Sequence, residues 1–343
     1  MPLVSRKLKV LEKIVNEYIV TGQPVGSKAI CHSLNVSSST IRNDMAELTK
    51  LKFLEQPYSS SGRIPSQKGY KFYVEKILSE EKTKSSYIGA FEDFLFSLNF
   101  KDLEFFLQEA FSAIAENTGC AVASLVTSSN SAVIQSVDVV PISSRVLMVV
   151  LVTSMGVVKH KLVTCNQSLS FYEIENSKEL LIKTFEGKRI EDAKNMHVYF
   201  LKRSLLFKKN GLLNLLFDIV TSLSMEISEG SVEITGESNL FSCPDLNSDL
   251  VNKVLDSLRS QKQVVKLLRG TKSRDVQVLV GNEVKINGCS ELSVILLEYS
   301  ISKENKGVVA LIGPTRMNYK NLISNTRGLI RTLDKFLRER FEF

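Results

Sequence analysis

Residues 25–65 read VGSKAICHSLNVSSSTIRNDMAELTKLKFLEQPYSSSGRIP, and the rest of the 343-residue chain is organised around them. The stretch opens with a short helix containing Ala29, Ile30 and Leu34, for which Ser27 is the expected cap. Asn35 and Val36 form a turn, and a longer helix capped by Ser37 runs to about Leu51. In that helix Ile41, Met45 and Leu48 recur at spacings of four and three, which makes one core-facing stripe. Ser38, Ser39, Thr40, Arg42 and Asn43 fall on the other side within the first two turns. Phe53-Leu54-Glu55 follows as a short strand. Pro57 to Pro65 then reads as a hairpin-like loop, with Gly62 able to take a positive φ and Arg63 near the tip. Helix, turn, polar-fronted helix, strand and basic loop, in that order, describe a helix-turn-helix with a wing.

The flanks support this unit. Leu8, Leu11, Ile14, Val15, Tyr18 and Ile19 make one buried stripe on a preceding helix that Ser5 can cap, and Thr21-Gly22-Gln23-Pro24 ends it. Ser66 caps a closing helix with Tyr70, Tyr73, Val74, Ile77 and Leu78 inward and Lys68 and Lys71 outward. The formal net charge is +7, and residues 1–80 carry twelve Lys/Arg against seven Asp/Glu, so most of the excess sits on this first quarter. A basic unit of this kind points to double-stranded DNA as partner. Hydroxyls and amides at the start of a recognition helix bond base edges, and an arginine there grips guanine or phosphate with two bonds. Ser38, Ser39, Thr40, Arg42 and Asn43 are therefore the expected base readers. Ser27, Lys28, Arg63 and Lys68 are the expected contacts to the DNA backbone or minor groove. One copy offers few contacts, so a homodimer reading two half-sites of an inverted repeat is expected.

Other chemistry is poorly supported. Gly22-Gln23-Pro24-Val25-Gly26-Ser27-Lys28 has the wrong spacing and follows a helix, so it fails as a phosphate-binding loop. Cys31, Cys120, Cys165, Cys243 and Cys289 are scattered, without CxxC and without clustering with His32, His160 or His197. That pattern fits free thiols in a reducing compartment and offers no metal site. No nucleophile–base pair or acidic cluster suggests an enzyme, and no cofactor is expected. The N-terminus lacks the apolar core of a signal peptide. The longest apolar run, Val146–Val152, is far short of a membrane span, so the expectation is a cytoplasmic protein with no membrane partner. His160 sits between Lys159 and Lys161 and reads as a solvated strand edge. Gly313-Pro314-Thr315-Arg316 reads either as a tight strand–helix connection or as an anion site. The apolar face of Leu212, Leu215, Leu216, Ile219 and Leu223 reads either as core or as a dimer contact.

A hydrophobic content of 43% and a charged content of 24% are those of a globular protein, and 343 residues suffice for two or three cores. Residues 79–86 are polar and read as a linker. Helical patterns at 87–98 and 103–117 lead into short β-branched runs at 121–127, 131–140, 145–153 and 157–163, with Ser154-Met155-Gly156 closing the last hairpin. Helical patterns return at 178–185, 190–206 and 212–227, with an alternating strand at 231–235. After a further amphipathic stretch at 247–268, strands resume at 276–280, 291–300 and 308–312 before a last helix over 318–336. A sheet interrupted by helices and then resumed implies one domain inserted in another.

The runs YIVTGQPVGSKAI, SSSTIRNDMAELTKL and LEQPYSSSGRIPSQKGYKFYV resemble the N-terminal domain of the bacterial heat-inducible transcription repressors, HrcA. Gly236-Glu237-Ser238-Asn239-Leu240 resembles that family's mid-chain motif, and Ile312 to Tyr319 (IGPTRMNY) its C-terminal signature. The resemblance implies an α+β multidomain protein. Its parts would be a winged helix-turn-helix at 1–80, a central GAF-like α/β domain at 85–165 and 246–343, and an inserted dimerisation domain at 166–245. It also implies repression of chaperonin and chaperone operons through the CIRCE inverted repeat, inactivation by heat, and support of the active form by the GroE chaperonin. The alternative is a metabolite-responsive winged-helix repressor with a small ligand in the GAF-like domain.

Overall fold

The computed structural model describes residues 5–340 except 60, 80–87, 99–102, 128–131, 155–156, 194, 197–210, 270–275, 287–288 and 302–305. The expected linker at 79–86 lies almost wholly outside the described residues, as do most of the helical stretch at 190–206 and two residues of the 154–156 turn.

The N-terminal helices are α1 (Ser5–Thr21), α2 (Ser27–Leu34) and α3 (Ser38–Lys50). The two-residue strands β1 (Leu54–Glu55) and β2 (Ile64–Pro65) pair antiparallel, and α4 (Gln67–Ser79) closes the unit. Val10, Leu11, Ile14 and Val15 of α1 are buried with Ile30, Ile41, Met45, Leu48, Leu54, Tyr70, Tyr73 and Val74. Three to four apolar positions each on α1, α3 and α4, with Ile30 alone on α2, are thus spent on one small core. Asn35 takes a left-handed conformation (φ 52°), which turns α2 into α3.

Then come α5 (Ile88–Ser97), α6 (Leu103–Thr118) and β3 (Ala121–Thr127). The strands β4 (Ile134–Pro141), β5 (Val146–Thr153) and β6 (Val158–Thr164) follow, with α7 (Phe171–Phe185), α8 (Gly211–Glu229) and β7 (Ser231–Thr235). The last third holds α9 (Ser238–Phe241), α10 (Ser248–Arg259), α11 (Gln261–Arg269) and β8 (Val276–Val280). A 3-10 turn (Gly281–Val284), β9 (Leu292–Ser300), β10 (Lys306–Pro314) and α12 (Tyr319–Arg340) complete the chain. The stretch expected as one helix at 247–268 breaks at Ser260, whose extended backbone (ψ 94°) separates α10 from α11.

The chain falls into two compact units. Unit one comprises 1–124, 232–299 and 308–340 and carries a five-stranded sheet in the order β7-β3-β10-β9-β8. β9 and β10 are buried at nearly every position, as in a sheet covered on both faces. Ser293 of β9 and Tyr319 of α12 bond through their hydroxyls at 2.7 Å, and Phe111 of α6 meets Tyr299 edge to face. Unit two centres on the antiparallel sheet β4-β5-β6, whose inner residues Val137, Val139, Leu147, Val149 and Leu151 share a core with Phe185 and Phe217.

One expectation changes here. The sheet is not one run through residue 165: β3 belongs to the five-stranded sheet, whereas β4–β6 form their own. By contacts, unit two is built mainly from 125–231. The face of Leu212, Leu215, Leu216, Ile219 and Leu223, open between two readings, packs into the core of unit two. By length and composition α8 could cross a membrane. Its Leu216, Phe217, Val220 and Leu223 are nevertheless buried against protein.

Candidate nucleic-acid interface

α3 is pinned from behind so that its front is free. Ser37 caps it, accepting a bond from the Thr40 amide at 3.2 Å, as expected. Asp44 is buried on the inner side with Ile41, Met45 and Leu48. A buried carboxylate needs a partner. Arg6 of α1 supplies it with a two-bond grip at 2.8 and 3.0 Å, and the carboxylate in turn raises the arginine's pKa. Lys7 pairs with Glu47 at 2.5 Å. Both acids of α3 are therefore neutralised by α1, and they do not offset the positive face.

On that face Ser39, Arg42 and Asn43 are exposed, whereas Ser38 and Thr40 are half-buried. The hydroxyls form a network, with Ser37 bonding Ser39 at 2.9 Å and Thr40 at 2.8 Å. Ser38 bonds Ser27 at 2.8 Å. Ser27 does not cap α2: it is the first helical residue, it is buried, and its hydroxyl ties α2 to α3. The N-cap is Gly26, with no side-chain cap, so the first amides of α2 stay open to an anion.

A cleft of about 450 Å³ lies between the start of α2, α3 and the β1–β2 loop. Lys28, Arg42 and Arg63 line it with Gln56, Ser59 and Ser61, and among the described residues no carboxylate does. Three cations beside an uncapped helix start favour a polyanion at this concavity.

The β1–β2 loop, expected as a wing, differs from expectation in two respects. Gly62 is not among the positive-φ glycines. It is required because a Cβ there would lie 2.5 Å from the Val25 carbonyl. Arg63 sits at the base, not near the tip: it and Val25 exchange two backbone bonds of 2.9 Å. Its Nε donates to Thr49 Oγ1 at 3.1 Å, which holds the guanidinium beside α3. Among the described residues of the loop Gln56, Pro57, Tyr58 and Ser59 are exposed, Tyr58 at 75%. Sequence reasoning passed over Tyr58 and Gln56. A lone aromatic in a serine-rich loop is the signal that could have found the former. Lys68 lies apart from the cleft, donating to the Leu51 carbonyl at 2.9 Å and standing over the Phe53 ring at 4.3 Å. It closes the C-terminal end of α3. The Gly313–Arg316 turn is no open anion site, because Arg316 is engaged by Asp245.

Comparison with known proteins was consistent along the whole chain. Residues 104–323 match the family described as HrcA protein C terminal domain. The heat-inducible transcription repressor HrcA of Moorella thermoacetica is 31% identical over 99% of this chain and 99% of its own length. That of Clostridium tetani is 30% identical over 99% and 97%. A crystal structure of a hypothetical protein at 2.2 Å resolution shares the fold at a TM-score of 0.62 and 23% identity, covering 98% of this chain and 99% of that one.

Proposed function

This chain belongs to the family of heat-inducible transcription repressors, HrcA, and from that premise we propose how it binds DNA. It is a negative regulator of heat-shock genes and not an enzyme. Residues 1–80 act as a winged helix-turn-helix on the CIRCE inverted repeat. α3 enters the major groove, with Ser38, Ser39, Thr40, Arg42 and Asn43 reading base edges. Lys28 and Arg63 hold the backbone at the cleft, and Lys68, apart from it at the C-terminal end of α3, takes a separate phosphate. Ser27 contributes by fixing Ser38, to which it is bonded. The observation that carries this reading is the cleft lined by Lys28, Arg42 and Arg63 without a carboxylate, next to the exposed front of α3.

Residues 85–165 and 246–343 are read as the GAF-like domain and 166–245 as the inserted dimerisation domain, with the contact division favouring an insert that starts earlier, near residue 125. What supports a homodimer through the insert is strand β6. It is an edge strand of its three-stranded sheet, and Val158 and Leu162 on it are exposed. They face Val152 and Met148 across the register, which extends the apolar surface. Repression follows from occupying the promoter in the cytoplasm. GroE supports the active form, and heat withdraws that support as unfolded clients compete for it. Footprinting on an inverted-repeat promoter at two salt concentrations, with and without chaperonin, tests this. Protection that ignored the repeat would overturn it.

A second reading, control by a small metabolite, draws on one observation. A cleft of about 750 Å³ lies between α10, α11 and β8, lined in part by Leu258, Leu267, Leu279 and Ile286. A thermal-shift screen in which stabilisation tracks DNA release would favour it.

A further inference from the structure

Within unit one, a single arginine ties the end of α1 to a turn far along the chain. Arg316 follows β10, and its Nε donates to both Asp245 oxygens, at 2.8 and 3.0 Å. Its Nη1 donates to the Ile19 carbonyl at 2.9 Å. Ile19 lies in the last turn of α1, where carbonyls have no helical partner and a cation is favoured. Gly22 makes room. It turns the chain at φ +66°, and a Cβ there would stand 3.2–3.5 Å from the guanidinium. The Arg316 side chain is 18% exposed and that of Asp245 34%, so the arginine is more shielded from water than its carboxylate partner.

The other end of α1 holds the recognition helix, because Arg6 and Lys7 in its first turn bind Asp44 and Glu47 of α3. α1 has 17 residues and is therefore a rod of about 25 Å. A rotation of about 10° at the Arg316 end carries the other end by about 4 Å, more than the 3.4 Å rise of one base pair. A second fastening lies on α4. The Gln67 side chain bonds the Ser290 carbonyl at 3.2 Å and the Asn282 amide at 3.3 Å, Lys71 pairs with Glu283, and Tyr70 packs on Tyr319 with centroids 6.0 Å apart. Arg316 thus adds a second point of attachment, on α1, to the one on α4.

We propose that Arg316, clasped between Asp245 and the end of α1, is a positioning residue that sets the angle at which α3 is presented, and through it the half-site spacing a dimer accepts. The inference rests on the dimeric DNA-binding reading above. Loss of the clasp removes spacing discrimination and leaves the single half-site contact intact, since no part of the clasp belongs to the cleft.

The test uses the full chain and three duplexes: the protected operator, the same operator with two base pairs inserted between half-sites, and one half-site alone. Wild type is expected to bind the operator at least about tenfold tighter than the expanded duplex, because simultaneous engagement is geometry-limited. Arg316→Met is expected to bind both within about twofold, with half-site affinity within about twofold of wild type. Arg316→Lys keeps the charge but cannot reach Asp245 and Ile19 together, and should show the same relaxation. Gly22→Ala and Asp245→Asn carry the test should Arg316→Met fail to fold, as judged by circular dichroism. Spacing preference retained in folded variants would overturn the proposal, as would a parallel fall in half-site affinity. Wild type that binds none of the duplexes would instead overturn the DNA-binding reading itself.

Discussion

Gly62→Ala is the sharpest single test of how the β1–β2 loop is held. The added Cβ would stand 2.5 Å from the carbonyl carbon and oxygen of Val25 and 2.8 Å from that of Pro24. Carbon atoms pack at about 3.5 Å, so the loop and the Pro24-Val25 segment must part by about 1 Å. The two bonds between Val25 and Arg63, each 2.9 Å, would then stretch beyond hydrogen-bonding length. Each contributes about 1 kcal/mol net, so the local cost is about 2 kcal/mol. The amides of Val25 and Arg63 should exchange hydrogen about thirtyfold faster than in wild type. Arg63 moves with the loop and loses Thr49, so DNA affinity should fall for all sequences alike. Hydrogen exchange on peptides covering 20–30 and 60–66, with gel shifts on the same samples, reads both effects. Gly26→Ser is the control for stability. Nothing lies within 4 Å of a Cβ there, and serine is a better N-cap for α2 than glycine. Unchanged exchange in Gly62→Ala, or equal changes in the two variants, would refute the steric reasoning.

Arg42→Ala should cost about 1–3 kcal/mol of operator binding and relax base preference, whereas Arg63→Ala and Lys68→Ala should weaken every sequence alike and flatten the salt dependence; gel shifts on wild-type and point-changed operators separate the two classes. Burial pushes the Cys120 thiol up to about 12, with Cys243 nearby adding to it. Iodoacetamide at pH 8 should therefore leave Cys120 unmodified in the native protein while it labels half-exposed Cys31, as mass spectrometry of the digest would record. Glu173 bonds the backbone and hydroxyl of Ser170 in a capping box, and these bonds hold its carboxyl below the ordinary glutamate value of 4.5. A depressed carboxyl stabilises above its unfolded pKa, so the start of α7 should loosen as pH falls below about 4.5. Glu173→Gln should remove that pH dependence in hydrogen exchange of the 170–175 amides.

Much of the N-terminal helical unit could be read without a structure. The split of α3 into Ile41/Met45/Leu48 and an exposed polar front is a consequence of 3.6-residue periodicity, which is local. The Ser37 and Ser66 caps were legible for the same reason, and the Gly69 amide does bond the Ser66 hydroxyl at 3.1 Å. Ser27 was not, because hydroxyls before helices look alike. The bond to Ser38 depends on where α3 lies.

The sequence by itself determined that a basic, polar-fronted helix precedes a glycine-bearing loop, where most of the described strands fall, and which family motifs follow in order. Periodicity, caps and turn residues act over a few positions and are written in neighbouring side chains. Only the tertiary structure decided which strands share a sheet. β3 and β4 read alike as β-branched runs, yet β3 bonds to strands more than a hundred residues on and β4 does not. Only it decided that Gly62 serves close approach to Val25, and that Arg316 caps a helix 297 residues earlier. Hydrogen-bond partners and steric neighbours across such distances are chosen by how whole elements pack, and no local pattern encodes that choice.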